Sequence, residues 1–252
     1  MLLKIKMVKI KNGGLNIKEI PVDLSAHHPK TKFDILPYHE FTMGLIAPPG
    51  SGKTTLICNL LNFYKGYFHT IVVFSPTVKN DEKWDWVKKQ PLLAENKALQ
   101  RWFKTQKEVE NSIVQRPSVK DEIADKFCKT RKNAQGKFDA TIPEEHFITD
   151  YDSETLMSLI NEQQELVDLL KEEGETKFLA NRLLFLFDDL VGSILFGNER
   201  KNPFKILNTT HRHKSCSIMM VSQAYREIPK TVRLSFKCLV LFEIYNDKEI
   251  EV

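Results

Sequence analysis

One stretch narrows the fold more than any other: Gly44-Leu45-Ile46-Ala47-Pro48-Pro49-Gly50-Ser51-Gly52-Lys53-Thr54-Thr55. The apolar run from Phe41 to Ala47 ahead of the loop reads as a buried strand, and Lys53 to Tyr64 behind it has a helical pattern. Strand, glycine loop and helix in direct succession match the Walker A pattern, with Ala47 where the first glycine usually stands. Gly50 and Gly52 let the backbone turn so that consecutive N–H groups face one concavity and bind phosphate oxygens. Lys53 adds a cation for the β and γ phosphates, Thr54 offers a hydroxyl to Mg²⁺, and the helix contributes its positive N-terminal end. Proline has no N–H, so Pro48 and Pro49 shape the loop and the donors begin at Gly50. The expected ligands are ATP (or a close relative) and Mg²⁺, with Pro49, Gly50, Ser51, Gly52, Lys53, Thr54 and Thr55 forming the nucleotide site.

Four further apolar runs are strand candidates: Thr70 to Phe74, Leu183 to Phe187, Ser217 to Ser222 and Cys238 to Ile244. They are near-continuously apolar, as in parallel sheets covered on both faces. Helical patterns between them, including Ser153 to Glu173, argue for a three-layer α/β fold with a mainly parallel sheet. The chain of 252 residues reads as a single P-loop domain. Residues 79–181 form a large helical insertion between the second and third core strands, loop-like over roughly Gln106 to Thr149. Residues 1–35 read as a flanking β segment, with Asn12-Gly13-Gly14 as its turn.

The third run, Leu183-Leu184-Phe185-Leu186-Phe187-Asp188-Asp189, has the form of a Walker B strand. Its acids emerge at the C-terminal end, where ligands bind in open α/β sheets. Asp188 is the expected Mg²⁺ holder with Thr54, and Asp189 the group that orients or deprotonates an attacking water. Many motor ATPases carry glutamate at the second position, which is one methylene longer. The fourth run ends in Ser222-Gln223, and Gln223 can hydrogen-bond a γ-phosphate or that water.

Composition adds limits. A net charge of +4 permits a polyanionic partner without requiring one. The four cysteines have no C-x-x-C spacing, so metal and redox motifs are unsupported and reduced thiols are expected. Lysines interrupt the apolar start, which is not a signal peptide, and no apolar run reaches membrane-spanning length.

Taken with the phosphate loop, Phe185-Leu186-Phe187-Asp188-Asp189, then His211 through Gln223, then Ile228-Pro229-Lys230-Thr231-Val232-Arg233 resemble the FtsK/HerA superfamily. Within it the chain most resembles the genome-packaging ATPases of large double-stranded DNA viruses and their satellite viruses. The resemblance covers roughly residues 35–80 and 180–245. It implies a RecA-like core in a homo-oligomeric ring, pentamer or hexamer, that hydrolyses ATP and translocates duplex DNA into a preformed capsid. It further implies contacts with capsid vertex proteins, no membrane partner, and action at the viral assembly site in the host cytoplasm or within the virion. Lys53, Thr54, Asp188 and Gln223 carry over as nucleotide-site residues. An arginine reaching a neighbour's γ-phosphate is implied as well, with Arg212 and Arg233 as candidates.

A translocase grips phosphates rather than bases. Gly192, Gly197, Asn198, Arg200, Lys201, Asn202 and Lys205 form a basic loop after the acidic strand, and Lys129, Arg131, Lys132 and Lys137 a second basic group. The plainer reading of either group is a solvated charged face. His211, His213 and Cys216 lack a second ligand pair for a metal, and Trp84, Trp86 and Trp102 read as packing residues. Two other functions fit a phosphate loop: a small P-loop kinase, and an assembly module that binds nucleotide without turnover.

Overall fold

A computed structural model of the protein describes residues 29–102, 137–172, 181–190, 194–197 and 202–242. The elements are β1 (Thr42–Ile46), α1 (Lys53–Phe63), β2 (Thr70–Phe74), α2 (Glu82–Lys88), β3 (Phe147–Ile148), α3 (Ser153–Glu172), β4 (Leu183–Asp188), α4 (Pro203–Thr210), β5 (Cys216–Ser222), α5 (Lys230–Arg233) and β6 (Cys238–Leu241). The strands form one sheet in the order β3-β2-β4-β5-β1-β6, and every pairing is parallel. All C-terminal strand ends therefore lie along one edge. The phosphate-loop strand β1 and the acidic strand β4 are not neighbours; β5 runs between them.

Side chains alternate across a strand, so each face of the sheet collects every second residue. Met43, Leu45, Ile71, Val73, Leu184, Leu186, Met219 and Val221 share one cluster with Ile57 and Leu61 of α1 and Trp84 and Val87 of α2. Val72, Phe74, Phe185, Phe187, Ile218 and Met220 share the other with Leu156 and Ile160 of α3, Phe204 and Leu207 of α4 and Val232 of α5. These are the three layers expected from strand–helix alternation. The central strands read as unbroken apolar runs because both of their faces are covered.

The stretch between β2 and β4 adds to both the helical layers and the sheet. Asp81 caps α2, its side chain accepting from the Lys83 N–H at 3.0 Å. The second half of α3 packs Leu166, Val167, Leu169 and Leu170 against Ala98, Leu99 and Trp102 of a helical segment at 97–102. At the sheet edge away from the phosphate loop, the Gln163 amide of α3 donates to the carbonyls of Asn181 at 2.5 Å and Lys214 at 2.9 Å. It accepts from Asn181 Nδ2 at 2.8 Å.

Two expectations are corrected. Phe147–Ile148, read as loop, is a sixth strand on the outer edge of β2, opposite Val73 and Phe74. Two residues are too few to show an alternation that a sequence reading could detect. The last run was expected to be covered on both faces, yet among the described residues β6 is an edge strand. Cys238, Val240 and Phe242 pack on the core, while Leu239 and Leu241 are 40% and 47% exposed. The flanking β segment over 1–35 lies largely outside the described residues, and its described end, 29–35, carries no strand.

Candidate nucleotide site

The phosphate loop sits between β1 and α1. Gly50 (φ 72°) and Gly52 (φ 92°) both take the left-handed backbone that side chains resist. A Cβ added to either would meet nothing within 4 Å, so the cradle opens onto free space. Ser51 closes the turn behind them, its Oγ donating to the Pro48 carbonyl at 2.6 Å. Whereas α2 and α4 begin with side-chain caps, α1 begins at Gly52 with none and has no acid in its first turn. Its first N–H groups are thus left for an outside acceptor. An open cradle, an uncapped helix start and a lysine at its first position fit a nucleotide's phosphates. A threonine hydroxyl and a strand-end carboxylate fit a divalent cation.

The direction of Asp188 follows from alternation. Phe187 points to the α3–α4 face, so Asp188 points to the face that carries α1 and the loop. Phe74 pairs with Phe187, which brings the next residue of each strand together, and Ser75 Oγ donates to Asp188 Oδ2 at 2.9 Å. Asp188 is 4% exposed. Burial, foremost, raises its carboxyl from the ordinary 3.8 to about 6, and Asp189 and Asp81 raise it further, against the Ser75 hydrogen bond and Lys53. An ionised Asp188 is therefore a strained occupant, and a cation beside it would relieve that strain.

Asp189 turns the chain out of β4 with φ 54°, a conformation that aspartate tolerates better than most side chains. Its carboxylate lies 3.7 Å from Lys53 Nζ, and Gln223 Nε2 is 2.8 Å from each of its oxygens. Gln223 reaches it because β5 separates β1 from β4 and ends between the loop and the acids. Four residues singled out in three separate motifs (Lys53, Asp188, Asp189 and Gln223) thus converge at one sheet edge.

The two arginines do not join them. Arg212 is exposed in the turn before β5, at the other edge of the sheet, roughly 20 Å away along a strand of this length. Arg233, at the end of α5, stacks its guanidinium 4.6 Å over the Tyr225 ring. In the basic loop, Asn202 is buried and structural: it caps α4 by accepting from the Lys205 N–H at 3.1 Å and donates to the Leu195 carbonyl at 3.1 Å. That corrects its grouping with the solvated loop residues, while Lys205 is exposed. Gly192, Asn198, Arg200, Lys201, Lys129, Arg131 and Lys132 lie outside the described residues. Trp84 and Trp102 are buried packing residues, but Trp86 is 44% exposed. Ser75 went unnoticed in the sequence. The signal available was a hydroxyl directly after an apolar run whose strand adjoins the acidic one.

Comparison with known proteins adds a line of evidence independent of the loop. Residues 132–252, just under half of the chain, match the family model of the Poxvirus A32 protein. The matched stretch holds Asp188, Asp189, Gln223 and both arginines and excludes the phosphate loop. The residues from His211 to Arg233 that carry the resemblance noted in the sequence fall within this same stretch. No curated protein matches the chain. Among solved structures it is similar to the genome packaging NTPase B204 from Sulfolobus turreted icosahedral virus 2 in complex with AMPPCP. Identity there is 9%, over 83% of this chain and 78% of that one, with TM-score 0.45. It is similar also to EssC (ATPases 2 and 3) from Geobacillus thermodenitrificans, at 9% identity over 83% and 33% of the two chains and TM-score 0.40. The cytoplasmic domain of the Thermomonospora curvata Type VII secretion ATPase EccC gives 10% over 84% and 21%, TM-score 0.41. At these values the likeness is one of overall architecture and no more.

Proposed function

We propose that this relative of the Poxvirus A32 protein is an ATP-driven motor that translocates double-stranded DNA, packaging a viral genome into a preformed capsid. The observation that carries the reading is the convergence of Lys53, Asp188, Asp189 and Gln223 at the edge where the phosphate loop opens. In this reading the N–H groups of Gly50 and of Gly52 to Thr55 and the Lys53 ammonium bind the phosphates, the Ser51 N–H being turned to the Pro48 carbonyl, and Thr54 and Asp188 hold Mg²⁺. MgATP supplies the phosphoanhydride whose hydrolysis drives movement. Asp189 accepts the proton of the attacking water, and Gln223 orients that water.

The working form is a homo-oligomeric ring, pentamer or hexamer, acting at the viral assembly site with capsid vertex proteins. Arg212 is exposed and far from its own site, a disposition that suits a contribution to a neighbour; Arg233 would first have to leave Tyr225. DNA is held by its backbone through exposed basic side chains, so affinity falls steeply with salt. Among the described residues no helix is long and apolar enough to cross a membrane.

Steady-state ATP hydrolysis with and without duplex DNA tests the reading, on the parent, Lys53→Ala and Asp189→Asn. Stimulation by DNA together with loss of turnover in both variants is expected. Turnover indifferent to DNA, alone and with capsid proteins added, would refute the motor while leaving an ATPase.

A further inference from the structure

Three polar groups beyond the end of β2 have no part in the chemistry proposed above. Trp84 Nε1 of α2 donates to Thr77 Oγ1 at 3.3 Å, Thr77 Oγ1 lies 3.0 Å from Ser75 Oγ, and Ser75 Oγ donates to Asp188 Oδ2 at 2.9 Å. The direction of the middle bond follows by elimination. An indole N–H can only donate, and each hydroxyl has one hydrogen. Ser75 spends its hydrogen on Asp188, so Thr77 must donate to Ser75. The Thr77 backbone N–H, 3.3 Å from Ser75 Oγ, points its hydrogen at the same oxygen. Every hydrogen in the chain thus runs one way, from Trp84 toward the carboxylate. Ser75 and Trp84 are both 0% exposed, so the Ser75–Asp188 bond is shielded from water, while Thr77 between them is half-buried. Ser75 engages Oδ2, and Oδ1 is the oxygen left for a cation. Beyond Trp84, α2 ends at Lys88, whose ammonium pairs with Glu144 at 3.1 Å and lies 5.4 Å over the Phe147 ring of β3.

We infer that Ser75 is a positioning residue for the metal-holding carboxylate of Asp188, and that the relay through Thr77 to Trp84 makes α2, the first helix of the insertion, register a cation at the nucleotide site. The inference rests on the reading of Asp188 as the Mg²⁺ holder. Groups that hydrogen-bond a metal-ligating carboxylate fix its orientation and basicity. A small movement of Oδ2 toward a cation draws Ser75 and Thr77 with it. The Trp84–Thr77 bond, already the longest of the three, is where that movement tells. The insertion that separates β2 from β4 then senses the site rather than merely decorating the fold.

Mn²⁺ titrated by electron paramagnetic resonance against protein carrying a non-hydrolysable ATP analogue tests the first half. Ser75→Ala, which removes one oxygen, should weaken Mn²⁺ about tenfold or more and leave metal-free nucleotide affinity unchanged. Unchanged Mn²⁺ affinity in Ser75→Ala, beside a loss in Asp188→Asn, overturns this inference alone. No loss in Asp188→Asn overturns the metal assignment and this inference with it. For the second half, the three tryptophans are labelled as 5-fluorotryptophan, and their ¹⁹F resonances assigned by Trp84→Phe and Trp86→Phe. Mg²⁺ added to the nucleotide-bound protein should shift the Trp84 resonance in the parent and in Thr77→Ser, which keeps the hydroxyl, but not in Thr77→Val. A shift that survives Thr77→Val overturns the relay.

Discussion

Replacing Asp188 by asparagine should make the nucleotide-free protein more stable at neutral pH while abolishing its Mg²⁺-dependent turnover. Buried among apolar strands, the Asp188 carboxyl is raised from 3.8 to about 6. The folded state therefore holds that proton more tightly than the unfolded chain does. Well below pH 3.8 both states are protonated and the position is neutral in its effect. Between the two values the unfolded chain ionises first, and stability drains away as pH rises; above about 6 the whole cost remains. At about 1.4 kcal/mol per pH unit the gap is worth at most roughly 3 kcal/mol. Asparagine is never charged and its Oδ1 can still accept from Ser75. At pH 7.5 the variant should melt up to roughly 6–12 °C above the parent, taking 2–4 °C per kcal/mol for a chain of this size. About half of the advantage should be present at pH 5. Thermal melts of both proteins at the two pH values, without nucleotide or Mg²⁺, read the effect directly. A variant no more stable than the parent at pH 7.5, or a gain that does not grow with pH, would refute the argument from burial. Mg²⁺ with a non-hydrolysable nucleotide should then stabilise the parent and not the variant.

Other substitutions separate architecture from chemistry. Gln163→Leu leaves the Asn181 and Lys214 carbonyls without the amide that holds them, and should cost roughly 2–4 kcal/mol in urea unfolding with KM for ATP unchanged. Asn202→Ala removes the α4 cap and the bond to Leu195, for a loss of about 1–2 kcal/mol. At Asp189, with φ 54°, Asp189→Asn should fold as well as the parent, whereas Asp189→Val should lose roughly 1–2 kcal/mol, seen as a lower melting temperature. The Cys58 thiol, raised to about 11 chiefly by burial, should react with iodoacetamide at pH 8 far more slowly than a free thiol, as peptide mass mapping would measure.

The central architecture was readable because its signals are long and mutually consistent. β2 spans the residues its apolar run suggested, and α1 follows β1 directly because Gly50 and Gly52 permit the turn that sequence alone prescribes. What escaped was decided by partners. β3 is a strand only because Val73 and Phe74 lie beside it. Whether β6 is covered depends on its place at the sheet edge, and an apolar run reads alike in a central strand and an edge strand. Within the site, motif positions named Lys53, Asp188, Asp189 and Gln223 one by one. Ser75 belongs to no motif and becomes visible only through its register with Asp188. Asn202, counted by composition among solvated residues, is held inward by its two hydrogen bonds.

The placing of β5 has a mechanical consequence. Two strand spacings, roughly 10 Å, separate the strand that feeds the phosphate loop from the one that ends in the acids. Neither can shift along its axis without shearing against β5, which is paired to both along its length. A seven-residue strand buried at every position is a stiff spacer, so the width of the gap is set by backbone pairing and not by side chains that could relax. The chain leaves this spacer through Gln223 and Tyr225 and reaches Arg233 within ten residues. Any push on the tip of β5 is thus delivered first to the flank on which that arginine is stacked.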